Sequence, residues 1–300
     1  MAFPMEPNCL TIIQVLDSVM RTEDIPGVTG EAFYEGDAPD PENDLYPLYK
    51  ISLALPGLRR RVRLALEAED NAVYTGKPLD AELLERLIGE AQDVDKRLVA
   101  WQHNLPLHFR YCSIPLFGND PEDPEHIPIW PGMIHYYRNC FIASFLNNYR
   151  IIRIYLQELI ARCAARLGHE EVLDRDSRQG QVLYVLRQMV DEICGTVPYL
   201  MGADVPDMPM FIGLSGSKSP EMSIGSWLNL RPLYVASKVE CIPKPQKKWI
   251  YGRLIAIANE YGYRIANDIG KEASPEPEER PSIDWNTELP HQQKLLTTSA

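Results

Sequence analysis

"MIHYYRNCFIASFLNNYRIIRIYLQELIARCAARL", Met133 to Leu167, is the stretch on which the architecture turns. Ile134, Phe141, Phe145, Ile152, Leu156, Leu159 and Cys163 recur at helical spacing and make one apolar stripe. Ile142, Leu146, Tyr149 and Ile160 add a second, so a helix over 133–167 is greasy around most of its circumference. Such a helix is stable only inside other helices. Asn147, Asn148, Arg150, Arg153, Glu158 and Arg162 interrupt it, which argues against a membrane span. The expected fold is therefore all-α: a single multi-helix globule wrapped around a long buried central helix, with irregular loops.

The flanking segments read the same way. Towards the C-terminus a helix is expected over about Gln179–Tyr199, with Val182, Val185, Leu186, Met189 and Ile193 inward. Residues 203–222, rich in Pro, Gly and Ser, read as loop. Helices follow near Ser223–Ser237 and Gln246–Ile269, the second announced by Pro243 and Pro245 and carrying Trp249, Leu254, Ile257 and Ala258 on one side. From Lys271 the chain is rich in Pro and Glu and poor in apolar residues, which predicts a disordered or loosely docked tail. The domain division is thus 1–270 helical and 271–300 acidic tail.

Towards the N-terminus, residues 107–131 are proline-rich and acidic and read as an irregular segment. Asp80 is placed to cap "AELLERLIGEAQDVDKRLVAWQHN", whose Leu83, Leu84, Leu87, Ile88, Ala91, Val94, Leu98 and Trp101 share a face. Pro56 and Gly57 predict a break between helices at about Leu45–Ala54 and Leu58–Glu69. Thr22 to Asp44 reads as loop, and Asn8 as the cap of a helix over "CLTIIQVLDSVM". No run of period two suggests a strand.

The 300 residues carry a formal charge of −12. Duplex DNA is a polyanion whose binding needs Lys and Arg to displace counterions, so direct DNA binding is not expected. The one tight basic run, Arg59, Arg60, Arg61 and Arg63, fits the solvated face of a helix better than an import signal or phosphate patch. The six cysteines are scattered singly, with no C-x-x-C, so no local metal or dithiol motif exists and core packing is their expected role. No signal peptide, Walker loop, G-x-S-x-G or H-E-x-x-H is present, and "GLSGS", Gly213–Ser217, reads as loop. Neither a metal site nor a cofactor is expected, and a nuclear or cytoplasmic location is.

Five blocks in order resemble a known family: "LVAWQHNLP" (Leu98–Pro106), "FLNNYRIIRIYLQELI" (Phe145–Ile160), "EICGTVPYLMG" (Glu192–Gly202), "RPLYVAS" (Arg231–Ser237) and "CIPKPQKKWIYGRLIAIANEYGYRIAND" (Cys241–Asp268). Together, over about residues 45–268, they look like the regulatory domain of fungal binuclear zinc-cluster transcription factors. That resemblance implies an all-helical regulatory domain lying C-terminal to a zinc cluster, a basic linker and often a coiled coil. The closely spaced cysteines of such a cluster are not in this sequence, so the family's DNA-reading residues have no positions here. The expectation is a truncated regulator acting through partners, or a helical shell adopted for another task.

Polar residues on the central segment are the candidate site. His135 and Asn139 would share a helix face, with Asn147, Tyr149, Arg150 and Arg153 beyond. A buried arginine needs a partner; Glu192 or Asp191 on a neighbouring helix would supply one. Alternatively, His135, Tyr136, Asn139, Asn147, Tyr149, Arg150, Arg153 and Trp130 line a small-molecule pocket, with His108, Tyr111 and His126 at its mouth. The leading reading is a transcription-regulator-like domain acting through protein contacts or small-molecule sensing. The others are an enzyme of fungal metabolism using the same pocket, and an oligomerisation module; a homodimer is compatible with each.

Overall fold

The computed structural model describes residues 46–75, 80–116, 123–168, 177–202 and 220–261. Its helices are α1 (Tyr46–Ser52), α2 (Ala54–Thr75), α3 (Ala81–His103), α4 (Cys140–Arg166), α5 (Arg178–Leu200), α6 (Pro220–Lys238) and α7 (Lys244–Tyr261). A two-stranded antiparallel ribbon, β1 (Cys112–Leu116) and β2 (Gly132–Tyr136), interrupts the helical order. The molecule is a helical globule with α4 at its centre: α3 and α5 flank α4, while α2 and α6 also touch it. Every residue from Ile142 to Ile154 is buried, polar ones included.

Several ends follow from local chemistry. Asp80 caps α3, its carboxylate accepting from the Leu83 amide at 2.9 Å, and Leu84, Leu87, Ile88, Ala91, Val94, Leu98 and Trp101 are buried beneath. Ser177 caps α5 by accepting from the Gly180 amide at 3.0 Å. Trp249, Ile250, Leu254 and Ile257 place α7 against the core at 0% exposure, and the Trp249 indole donates to the Ile127 carbonyl at 3.0 Å. Arg253 donates to the Glu125 carbonyl at 3.0 Å, so α7 fastens the 123–131 segment at two points.

Three expectations are corrected. The central helix begins at Cys140 and not at Met133, because the Asn139 side chain accepts from the Ile142 amide at 2.9 Å and ends any helix upstream. Residues 132–136 form β2 instead, with His135 opposite Ser113 and Ile134 opposite Ile114. Ile134 lies seven residues, two helical turns, before Phe141, so it extends the apparent helical stripe although it is buried from a strand. The 107–131 segment is correspondingly not all irregular: it holds a 3-10 turn at Leu107–Phe109 and then β1, whose Pro115 is tolerated because a two-stranded ribbon has free edges. Finally, the break between α1 and α2 falls at Leu53, and Pro56 and Gly57 sit inside the first turn of α2. Proline costs little there, since first-turn amides have no intrahelical acceptor.

The ribbon lies directly on α5. A Cβ on Gly195 would come within 2.2 Å of the Met133 carbonyl and 3.0 Å of the His135 ring, so only glycine lets strand and helix meet. The segments expected at 9–20, 22–44, 213–217 and 271–300 lie outside the described residues. Among the described residues no helix is long and apolar enough to cross a membrane.

Candidate functional site

The site grows from Arg150, which α4 carries into the core at 1% exposure. A bare guanidinium there would cost several kcal/mol, on the order of magnitude seen for unpaired buried ions. Its Nε donates to Glu192 Oε2 at 3.0 Å, and Nη1 donates to Asn147 Oδ1 at 2.7 Å and to Thr196 Oγ1 at 2.8 Å. Gln188 donates to the other Glu192 oxygen at 3.0 Å, so the carboxylate is held on both sides.

Thr196 is the junction. Its hydroxyl donates to the Glu192 carbonyl at 2.9 Å and also lies 2.8 Å from the Tyr137 hydroxyl. One proton and two lone pairs must serve three partners, so Tyr137 is the donor in the Tyr137–Thr196 contact. Burial opposes the Arg150 charge most, but Tyr137, Glu192 and Tyr111 outweigh it and hold the guanidinium above its ordinary value. Burial also raises the Tyr111 and Tyr137 hydroxyls, keeping both neutral.

Above this network the ribbon adds an aromatic layer. The Tyr111 ring faces the Arg150 guanidinium at 5.4 Å, and lies 4.7 Å from His135 and 5.1 Å from Tyr137. His135 is 3% exposed, with Nδ1 2.9 Å from the Ser113 hydroxyl. Burial first, and the Arg150 charge second, push its pKa down to about 3, so the imidazole is neutral at physiological pH. Arg150 Nη2, His135 Nε2, Tyr136 OH and Asn147 Nδ2 are buried without a hydrogen-bond partner among the described residues. Three of these atoms, on Arg150, His135 and Asn147, gather at one guanidinium and form a concentration of unspent polar capacity, while Tyr136 occupies the opposite side of the strand from His135. A concavity of about 390 Å³ opens beside it, lined by Gln102, His103, Leu105, Phe109, Arg110, Tyr111 and Ser113. Tyr111 and Ser113 are thus shared: one side of each forms the wall, and their contacts behind are Arg150 and His135.

The candidates from the sequence divide into groups. His135, Asn147 and Arg150 come together, with Tyr111 from the proposed mouth, and Tyr136 stands on the same strand. Tyr149 and Arg153 form a separate cluster: Arg153 grips both oxygens of Asp95 at 2.7 and 3.0 Å and donates to the Tyr149 hydroxyl at 3.2 Å. Asn139 is spent as the cap of α4. Trp130 packs on Trp249 with ring centres 6.0 Å apart, His126 pairs with Asp123 on the surface, and His108 lies against Phe109. Glu192 is the arginine partner anticipated from sequence. Ser113, Tyr137, Thr196 and Gln188 are residues that sequence reading missed; the one available signal was Thr196 four residues after Glu192, on the same helix face.

With this geometry established, the chain can be set beside known proteins. It is 23% identical over 178 residues to "Transcription factor dbaG" of Emericella nidulans, an alignment covering 58% of this chain and 40% of that protein. The likeness supports a fungal transcription-factor-like protein. The chain spans well under half the length of that relative. No family model and no solved structure matches.

Proposed function

We propose that this chain is a transcription-regulator-like helical domain, responding in the nucleus to a small molecule taken up beside the ribbon. The observation that carries the reading is the Arg150 network, whose unpartnered buried donors stand behind the Tyr111–Ser113 wall of the concavity. Buried polar atoms left unmade cost about 1–3 kcal/mol each. A polar ligand that drew the ribbon or its side chains into a new arrangement would recover part of that cost. The ribbon would be the element that differs between free and bound protein, with protein partners reading the change. The likeness to a fungal transcription factor supplies the regulatory context.

An enzymatic use of the same site is disfavoured by one feature. The Ser113–His135 contact looks like a nucleophile and its base, but an imidazole with a pKa of about 3 is a poor proton acceptor at neutral pH. The experiment is a Ser113→Trp substitution in the fungus, which fills the concavity from an exposed strand position. Gene deletion should change a defined set of transcripts, and the Ser113→Trp protein, accumulating normally, should fail to restore them. Full restoration by Ser113→Trp would remove the pocket from the argument; no transcript change on deletion would remove the regulator.

A further inference from the structure

We propose that a second site, the cleft between α2 and α4, binds the phosphoryl group of a small ligand, either free phosphate or its monoester. The cleft shares no residue with the concavity beside the ribbon and does not depend on its role. Arg59, Arg60 and Arg63 project into it from α2, and Arg162, Tyr155 and Glu158 from α4.

The basic run that sequence alone assigns to a solvated face is split by the fold. Arg61 turns towards α3, where its guanidinium meets Glu90 with Nη1 3.0 Å from Oε1. Its three neighbours turn the other way and meet Arg162. Arg59 and Arg63 are one turn apart on the same face, a like-charge spacing offset in part by Glu67, whose Oε1 lies 3.8 Å from Arg63 Nε. Arg59 lies over the Tyr155 ring at 4.3 Å, half-buried, and its pKa is lowered by burial against the pull of Tyr155 and Glu158, with Arg231 and Arg162 adding more weakly. Four guanidiniums therefore line one small cavity in a chain whose net charge is −12. The cavity holds about 70 Å³, room for a tetrahedral oxyanion and far short of the roughly 300–1,000 Å³ of drug-sized sites. Guanidinium forks match phosphoryl oxygens two at a time, and the Tyr155 ring gives an organic substituent a surface to lie on.

Glu158 is the carboxylate lining this cleft, and burial raises its pKa to about 7 against the pull of Arg59 and Arg162. Arg59 faces it from α2 and Arg162 from its own helix, Glu240, which follows α6, raises it further, and Arg231 of α6 acts on Arg59. Near neutrality it is thus partly protonated, presenting a hydroxyl to an anion where a full carboxylate would repel one.

Calorimetric titration of the full chain with inorganic phosphate and with phenyl phosphate, against sodium chloride at matched ionic strength, tests the proposal. Saturable one-site binding is expected, weakened at least tenfold in the Arg60→Gln/Arg162→Gln double variant and unchanged in Arg97→Gln, an exposed arginine on α3. Arg60 and Arg162 are exposed, so the substitutions remove charge without opening the core. Glu158→Gln should instead tighten binding at pH 8, an opposite sign that general unfolding cannot mimic. Tighter binding of phenyl phosphate would identify a monoester as the ligand, and equal or weaker binding free phosphate. Absence of saturable heat, or equal affinity in the double variant, would overturn the site.

Discussion

Arg150 stands where the requirements of packing and of charge conflict most sharply. It is large, 1% exposed, and carried by a helix whose residues from Ile142 to Ile154 are all buried. Its charge survives because Glu192, Asn147 and Thr196 all reach it. Arg150→Met keeps the aliphatic stem but leaves the Glu192 carboxylate without its cation and takes one of three partners from Thr196, so unfolding in urea should show a loss of about 3–5 kcal/mol. Arg150→Lys should recover little, because an ammonium cannot reproduce the three-way fork. A loss under about 1 kcal/mol for Arg150→Met would mean that the network is replaceable. Part of this was legible in the sequence. An arginine inside an apolar helix demands a carboxylate, and Glu192 was one of two on offer. The remainder was not, because Tyr137 and Thr196 meet only through the approach of the ribbon to α5, a long-range fact with no local spacing.

That approach rests on Gly195, and two glycines in comparable helical settings should respond oppositely to alanine. Gly195→Ala forces a methyl to within 2.2 Å of the Met133 carbonyl, so the ribbon must lift, at a cost of about 1–3 kcal/mol by overpacking. Gly89 in α3 has open space where its Cβ would go, and Gly89→Ala should stabilise by about 0.5–1 kcal/mol through helix propensity. Thermal unfolding of both variants checks the pair; a stabilised Gly195→Ala would show that ribbon and helix are not in contact. Helices were legible where caps and apolar stripes agree, as at Asp80 and through Leu84–Trp101. The ribbon was not: five-residue strands carry too few alternations, and β1 contains a proline that reads as loop. Pro56 misled for a related reason, since it marks a helix boundary whose side only tertiary packing settles.

Across the molecule, buried His135 and half-buried Glu158 push stability in opposite directions within one pH window. His135 has a folded pKa near 3 against an ordinary value of 6.5. Below 6.5 the unfolded chain binds a proton that the folded one refuses, so this group subtracts stability as pH falls from about 6.5 towards 3. Glu158 has a folded pKa near 7 against 4.5, so the folded state takes the proton first. Its contribution is complete below 4.5 and is lost as pH rises through 7. Between 4.5 and 6.5 the two slopes have opposite signs, and each approaches about 1.4 kcal/mol per pH unit at most. The wild-type profile should therefore be flatter there than either single variant. His135→Gln, which removes the penalty at low pH, should make stability rise towards pH 4.5; Glu158→Gln should make it fall. Urea midpoints for the three proteins at pH 4.5, 5.5 and 6.5 measure this directly. Parallel profiles for all three would mean that His135 and Glu158 titrate in the folded protein as they do in the unfolded chain, and that neither is buried as the packing around α4 requires.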